Sequence, residues 1–145
     1  MPTIVHYEIP VIDIERSKKF YGDLFGWKIE KWSGTTPAGE YWMITMTDEK
    51  GNRTLGGGIH KRMHPDQRSI SYIGVKSVEE HSSKVEKLGG KVVTPKMTVP
   101  GLGYFVFCLD SENNSFAIWE SDEKCEVNKP VTLENCAYIK SQTKF

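Results

Sequence analysis

Cysteine is scarce in this chain and badly placed for the usual structural roles. Cys108, Cys125 and Cys136 give no metal-ligand spacing and no even set for a disulfide framework. Charge of one sign is also lacking: 19 basic and 19 acidic residues cancel, without a basic stripe or polybasic block. Nucleic acid and anionic membrane surfaces are therefore excluded as expected partners. No apolar run approaches the roughly 20 residues that span a bilayer. The opening Met1-Pro2-Thr3-Ile4 has no basic stretch leading into an apolar one, so no secretory leader is expected, and the expected location is a reducing cytoplasm. Gly-x-Ser-x-Gly, Cys-x-x-Cys, His-Glu-x-x-His and the dinucleotide fingerprint are all missing, which argues against hydrolase, thiol-redox and nicotinamide chemistry.

What the chain does contain is a repeat. Val5-His6-Tyr7-Glu8-Ile9 through Ser17 lies in step with Ser71-Tyr72-Ile73-Gly74-Val75 through Ser83. Leu24-Phe25-Gly26-Trp27 then matches Leu88-Gly89-Gly90, and Glu40-Tyr41-Trp42-Met43 resembles Gly103-Tyr104-Phe105-Val106. Each copy spans only about 50 to 60 residues, marginal for folding alone, so the halves are expected to share a core. The reading is one domain over residues 1–120, with modules at 4–60 and 70–120, followed by a polar tail at 121–145 that holds one apolar stretch, Ala137-Tyr138-Ile139.

Alternation predicts strands over 3–9, 27–32, 41–46 and 54–59, then over 70–75, 91–94, 104–109 and 115–120. Asp13 is placed to cap a helix that ends at Gly26, and Ser77 to cap one that ends at Gly89-Gly90, with Glu80 completing a capping box. Residues 60–68 contain Pro65 and read as the linker between modules. The fold class is therefore α+β, two βαβββ modules. Strand parity puts Tyr7 and Ile9 toward the helix and His6 and Glu8 on the other face. It likewise puts Tyr72 and Gly74 opposite Ile73 and Val75, and Ala117 and Trp119 opposite Phe116 and Ile118. If the sheet curls into an incompletely closed barrel, these opposite faces line a cup.

His6-Tyr7-Glu8-Ile9-Pro10, Asp13-Ile14-Glu15-Arg16-Ser17 and Phe20-Tyr21-Gly22-Asp23-Leu24-Phe25-Gly26-Trp27 together resemble the opening of a vicinal oxygen chelate (VOC) domain. That superfamily includes glyoxalase I, extradiol dioxygenases and bleomycin-resistance proteins. Asn114-Ser115-Phe116-Ala117-Ile118-Trp119-Glu120 and Gly56-Gly57-Gly58-Ile59 resemble a subgroup of predicted enzymes related to lactoylglutathione lyase. The similarity covers residues 4–120. It implies a homodimer and, in metal-dependent members, one divalent ion held by the first, fourth, fifth and last strands. Carried onto this chain, those positions are His6, Gly57 or Gly58, Tyr72 and Ala117. Only His6 is a ligand type, so no cofactor is expected, and a divalent ion at His6 is the one the resemblance leaves open.

The residues themselves single out His6 and Glu8, two apart on one strand, as a candidate acid/base pair with Glu8 as general base. A buried polar pair satisfied by hydrogen bonds is the structural alternative. Tyr72 and Trp119 offer aromatic surface for a planar or apolar ligand, or simply fill the cup. Gly57 and Gly58 allow a ligand or neighbouring backbone to come close, or mark a bulge at a sheet edge. His60 and His64 lie in the linker, His81 is expected at the surface, and Cys108 in the core. Two functions stand open: a glyoxalase-like enzyme, lyase or isomerase in type, on a small metabolite, and a non-catalytic protein that binds and sequesters a small molecule as bleomycin-resistance proteins do. A structural subunit with a self-filled cup is the third.

Overall fold

A computed structural model describes residues 1–34 and 36–124. Cys125, Cys136 and the Ala137–Ile139 stretch lie outside the described residues. The elements run β1 (Thr3–Val11), α1 (Ile14–Phe25), β2 (Lys28–Lys31), β3 (Tyr41–Thr45), β4 (Gly56–Lys61), β5 (Ile70–Gly74), α2 (Val78–Lys87), β6 (Lys91–Val92), β7 (Met97–Val99), β8 (Gly103–Leu109) and β9 (Ser115–Ser121). The strands form one mixed sheet in the order β2-β3-β4-β1-β5-β9-β8-β6, with β7 on β8. The halves meet at the antiparallel β1–β5 pair, flanked by the parallel pairs β1–β4 and β5–β9. The architecture is the α+β, curled, open half-barrel expected from the two modules.

Local chemistry sets the helix ends. The Asp13 carboxylate accepts the backbone N–H of Arg16 at the start of α1, and Gly26 stops that helix in the left-handed region at φ 69°. Ser77 Oγ accepts the Glu80 N–H as a cap should. The return bond from Glu80 to the Ser77 N–H is not seen among the described residues; separately, the Glu120 carboxylate on β9 accepts the Val78 N–H and ties α2 to the sheet. One strand was not foreseen. Met97–Val99 pairs with Phe105, Tyr104 and Gly103, so it exists only through a partner distant in sequence.

The two faces of the sheet carry different cores. On the helix side, Ile9, Val11, Ile14, Ile44 and Ile59 form one cluster, and Val78, Val106, Cys108 and Ile118 another. Ile44 and Ile59 are fully buried, worth about 2 kcal/mol each. Cys108 sits where expected, and burial pushes its thiol up to about 11. The opposite face gathers Ile70, Tyr72, Val99, Phe105, Phe107 and Ala117. Along β8 the alternation is clean, with Val106 and Cys108 toward α2 and Phe105 and Phe107 toward the cup.

Candidate functional site

The concave face encloses a cavity of about 910 Å³, within the range of small-molecule sites. Trp32, Phe105 and Trp119 line its walls, Val99 and Leu102 one side of its rim, and His6, Glu8, Tyr41 and Tyr72 its floor. Phe105 stacks on Trp119 at 6.4 Å between ring centroids and meets Phe107 edge-on at 5.3 Å. Lys76, Glu80, His81 and Glu120 stand at the α2 end.

Glu8 is the centre of the floor, 8% exposed. Three donors converge on it. Tyr41 donates to Oε2 at 3.0 Å, Tyr72 donates to Oε1 at 3.0 Å, and His60 Nε2 lies 3.2 Å from Oε1. Burial pushes the Glu8 carboxyl upward, but the hydrogen bond and charge of His60, then His6 and Tyr41, outweigh it and hold Glu8 below its ordinary range. Burial pushes His60 down, and the Glu8 carboxylate with the Lys61 carbonyl more than reverses this. His60 Nδ1 faces that carbonyl at 2.9 Å. Both ring nitrogens thus meet acceptors, so both carry protons, and the pair is imidazolium with carboxylate.

His6 is held in one tautomer by its neighbours. Tyr41 has one proton and gives it to Glu8, so its oxygen accepts from His6 Nε2–H at 2.6 Å. Burial, opposed by the Glu8 charge, lowers the His6 pKa. The neutral ring then leaves Nδ1 as an acceptor with no hydrogen bond among the described residues. Tyr41 itself is held protonated well above its ordinary value by burial, by the Glu8 charge and by the bond it donates.

The arrangement corrects several expectations. His60 is not in the linker: it lies within β4 at 1% exposure and holds the partner charge of Glu8. Glu8, expected as a general base, carries one donor on Oε2 and two on Oε1, which makes it a weaker base than an unpartnered carboxylate. Gly57 pairs with Tyr7 and its Cβ position points at the Tyr7 carbonyl oxygen, 2.7 Å away, and at Ile44 of the helix-side core. It is off the cup. Gly58 pairs with Glu8, yet it does not line the cavity, because a Cβ there would lie 1.8 Å from Tyr41 Oη. Its missing side chain admits the Tyr41 phenol, not a ligand, and β4 is an inner strand rather than an edge. Ala117 is fully buried among Tyr72, Phe105 and Phe107 and does not line the cavity either. His81 is half-buried at the rim, with Nδ1 3.1 Å from the Ser77 carbonyl. His6, Tyr72 and Trp119 do line the cup. Tyr41 and His60 were missed.

The register also tests the family's metal positions. His6 pairs with Gly56 and Tyr72, and Tyr72 with Ala117, one row across four strands. Beside His6 this row offers a phenol, a methyl group and a glycine. The one nearby carboxylate, Glu8, is engaged by Tyr41, Tyr72 and His60. This donor set does not fit a divalent ion held in the family's manner.

The family described as bleomycin resistance protein-like N-terminal has a model that matches residues 3–35. A glyoxylase-like domain-containing protein of Didymella fabae is 35% identical over 115 residues, covering 77% of this chain and 88% of that protein. Among solved structures, a Streptomyces coelicolor methylmalonyl-CoA epimerase variant in complex with 2-nitronate-propionyl-CoA superposes at TM-score 0.61 and 13% identity, over 81% of this chain and 96% of its own. A hypothetical protein from Bacillus halodurans superposes at 0.61 and 15%, over 87% and 99%. At such identities the solved structures share the fold alone. The sequence relationship over most of both chains, together with the half-barrel, makes this chain a glyoxalase-like member of the vicinal oxygen chelate superfamily.

Proposed function

We propose that the cup holds an uncharged, planar, largely apolar small molecule and does so without a divalent ion. The observation that carries this is the closed Glu8 cluster. Glu8 and His60 cancel each other's charge, and Tyr41, Tyr72 and His60 spend their donors on Glu8 rather than on a ligand. A charged ligand seated on the floor, away from Lys76 at the α2 end, would lose its hydration and find no free countercharge there, at a cost of several kcal/mol. A flat apolar one would lie against Trp119 and Phe105 at no such cost. That the epimerase neighbours were solved with CoA esters supports a small-molecule role for a cup of this kind. The test is direct. Naphthol and naphthoate are titrated against the protein, reading tryptophan fluorescence and calorimetric heat. The neutral probe is expected to bind at least tenfold more tightly. Equal or tighter binding of the anion would overturn the reading.

A catalytic reading is favoured by one observation, the open Nδ1 of neutral His6. His6, not Glu8, would then take a proton from a bound carbonyl compound. Hydrogen–deuterium exchange of a trial ligand in D₂O, lost in His6→Gln, would support it, and its absence for every ligand that binds would leave sequestration.

We further infer a homodimer, since Phe20, Leu24 and Phe25 on α1 are each more than half exposed. Sedimentation velocity of wild type and Phe20→Ser decides it. No described helix is long and apolar enough to cross a membrane, and the buried free thiol of Cys108 suits the cytoplasm we infer.

A further inference from the structure

We propose a second binding site, for a phosphoryl group, at the junction of β1, α1 and the segment after β4. A second cavity, of about 440 Å³, lies there, lined by Ile9, Tyr21 and Ser17 with Arg16, Arg62 and Arg68. It shares no lining residue with the cup. Three of the chain's four arginines line it, in a protein whose formal charges cancel.

No carboxylate lines it. Asp13 holds the Arg16 backbone N–H, Glu15 pairs with Lys18, and Asp66 faces His64. The ion pairs among the described residues use lysines and histidines, never an arginine. Three guanidinium groups brought together without a countercharge repel one another, and an anion relieves this.

Arg62 adds an independent observation. One terminal nitrogen donates to the Pro10 carbonyl at 3.2 Å. Its Nε is buried and has no partner among the described residues, where other buried side-chain polar atoms do. The guanidinium is thus anchored on the protein with part of its donor fork unspent. The terminal nitrogens keep donors for a phosphoryl oxygen, and a small turn of the side chain would bring the sealed Nε beside them to take a second one. The exposed Arg16 and Arg68 supply further charge, and Ser17 a hydroxyl. The cavity exceeds a bare phosphate ion, so the ligand class is a phosphorylated small molecule. A dianion or trianion suits three cations better than a single carboxylate does.

Pyrophosphate and malonate are the probes, titrated calorimetrically at constant ionic strength against wild type, Arg62→Gln, Arg16→Gln and Lys50→Gln. Lys50 is an exposed cation in a remote turn. Pyrophosphate is expected to bind wild type and Lys50→Gln alike, at least tenfold more weakly in either arginine variant, and more tightly than malonate. Equal binding in all four proteins, binding by malonate as tight as pyrophosphate, or no binding to wild type would overturn the site. Should Arg62→Gln fail to fold, Arg16→Gln, exposed on the helix, decides alone. Naphthol binding measured in the same samples reports the cup separately, so failure of one site is not read as failure of the other.

Discussion

His60 Nε2 lies 3.2 Å from Glu8 Oε1 while the opposite ring nitrogen of His60 faces the Lys61 carbonyl at 2.9 Å. The imidazole therefore has acceptors at both ends, and its buried positive charge is what keeps Glu8 ionised. A pair of this kind adds little net stability over an apolar replacement but is costly to break from one side. It gives the cup a floor that is polar and internally neutral, with His6 Nδ1 left open beside the pair.

The pH dependence of folding follows from these shifts. His60 is raised above 6.5 in the folded state, so its contribution is complete below pH 6.5 and is lost as pH rises through its folded value. His6 is lowered; it favours unfolding below pH 6.5 and is neutral in both states above it. Glu8 is lowered, so its contribution is present above the ordinary carboxylate range and is lost as acid protonates it. Between pH 6.5 and 8, below the titration of cysteine, His60 dominates. Urea denaturation is expected to show stability falling across that window, and a flat profile in His60→Gln. A wild-type profile that rises there would contradict the imidazolium assignment.

Gly58 and Gly56 give a paired test of the Tyr41 contact. A Cβ on Gly58 meets the phenol at 1.8 Å, whereas one on Gly56 finds its nearest neighbour, the Ile44 carbonyl oxygen, at 3.8 Å. Gly58→Ala must expel Tyr41 from Glu8, removing one of three donors and overfilling the floor, for about 2–4 kcal/mol. Gly56→Ala should cost less than about 1 kcal/mol. Chemical denaturation of both variants checks this, and equal costs would mean that Tyr41 has another comfortable position.

Much of this was legible in the sequence, because parity is local. Alternation alone put His6, Glu8, Tyr72 and Trp119 on one face, and Asp13, Gly26 and Ser77 marked the helix ends. What stayed hidden depends on pairing between distant strands. His60 sits next to Lys61, Arg62 and Pro65 and so looked like linker, yet β4 is paired on both sides, with Tyr41 opposite His60 on β3 and Pro10 opposite it on β1. The two-residue spacing Gly56, Gly58, His60 was the available clue, since it continues the cup face. The donors that surround Glu8 were hidden for the same reason: they come from β3, β4 and β5. Met97–Val99 has no alternation long enough to show without β8.

Removing the Glu8 charge should expose the dependence of His60 on it. In Glu8→Gln the imidazolium is left buried without its partner. The fold then either loses about 3 kcal/mol or His60 gives up its proton. NMR titration of the His60 ring is expected to move from above 6.5 in wild type to below it in the variant. Tyr72→Phe removes one neutral donor and leaves the pair, for about 1 kcal/mol. If Glu8→Gln proves as mild as Tyr72→Phe and His60 does not shift, the ion pair is not what organises the floor.

The metal positions can be tested by loss and by gain. A single imidazole holds a divalent ion weakly, because affinity comes from several ligands placed in advance. In this chain that imidazole has Nε2 committed to Tyr41, which leaves Nδ1 alone to meet an ion. Calorimetric titration of wild type with Ni²⁺, Co²⁺, Mn²⁺ and Zn²⁺ is expected to show no tight site, and metal content after dialysis to fall far below one per chain. The double variant Tyr72→His with Ala117→Glu puts a second imidazole and a carboxylate in the row that His6 begins. It also removes one donor from Glu8. Zn²⁺ or Ni²⁺ affinity should then rise at least tenfold if the double variant folds, since three ligands replace one. A near-stoichiometric metal in wild type, lost in His6→Ala, would show that the floor can rearrange around an ion and that Glu8 is less firmly spent than its three donors imply.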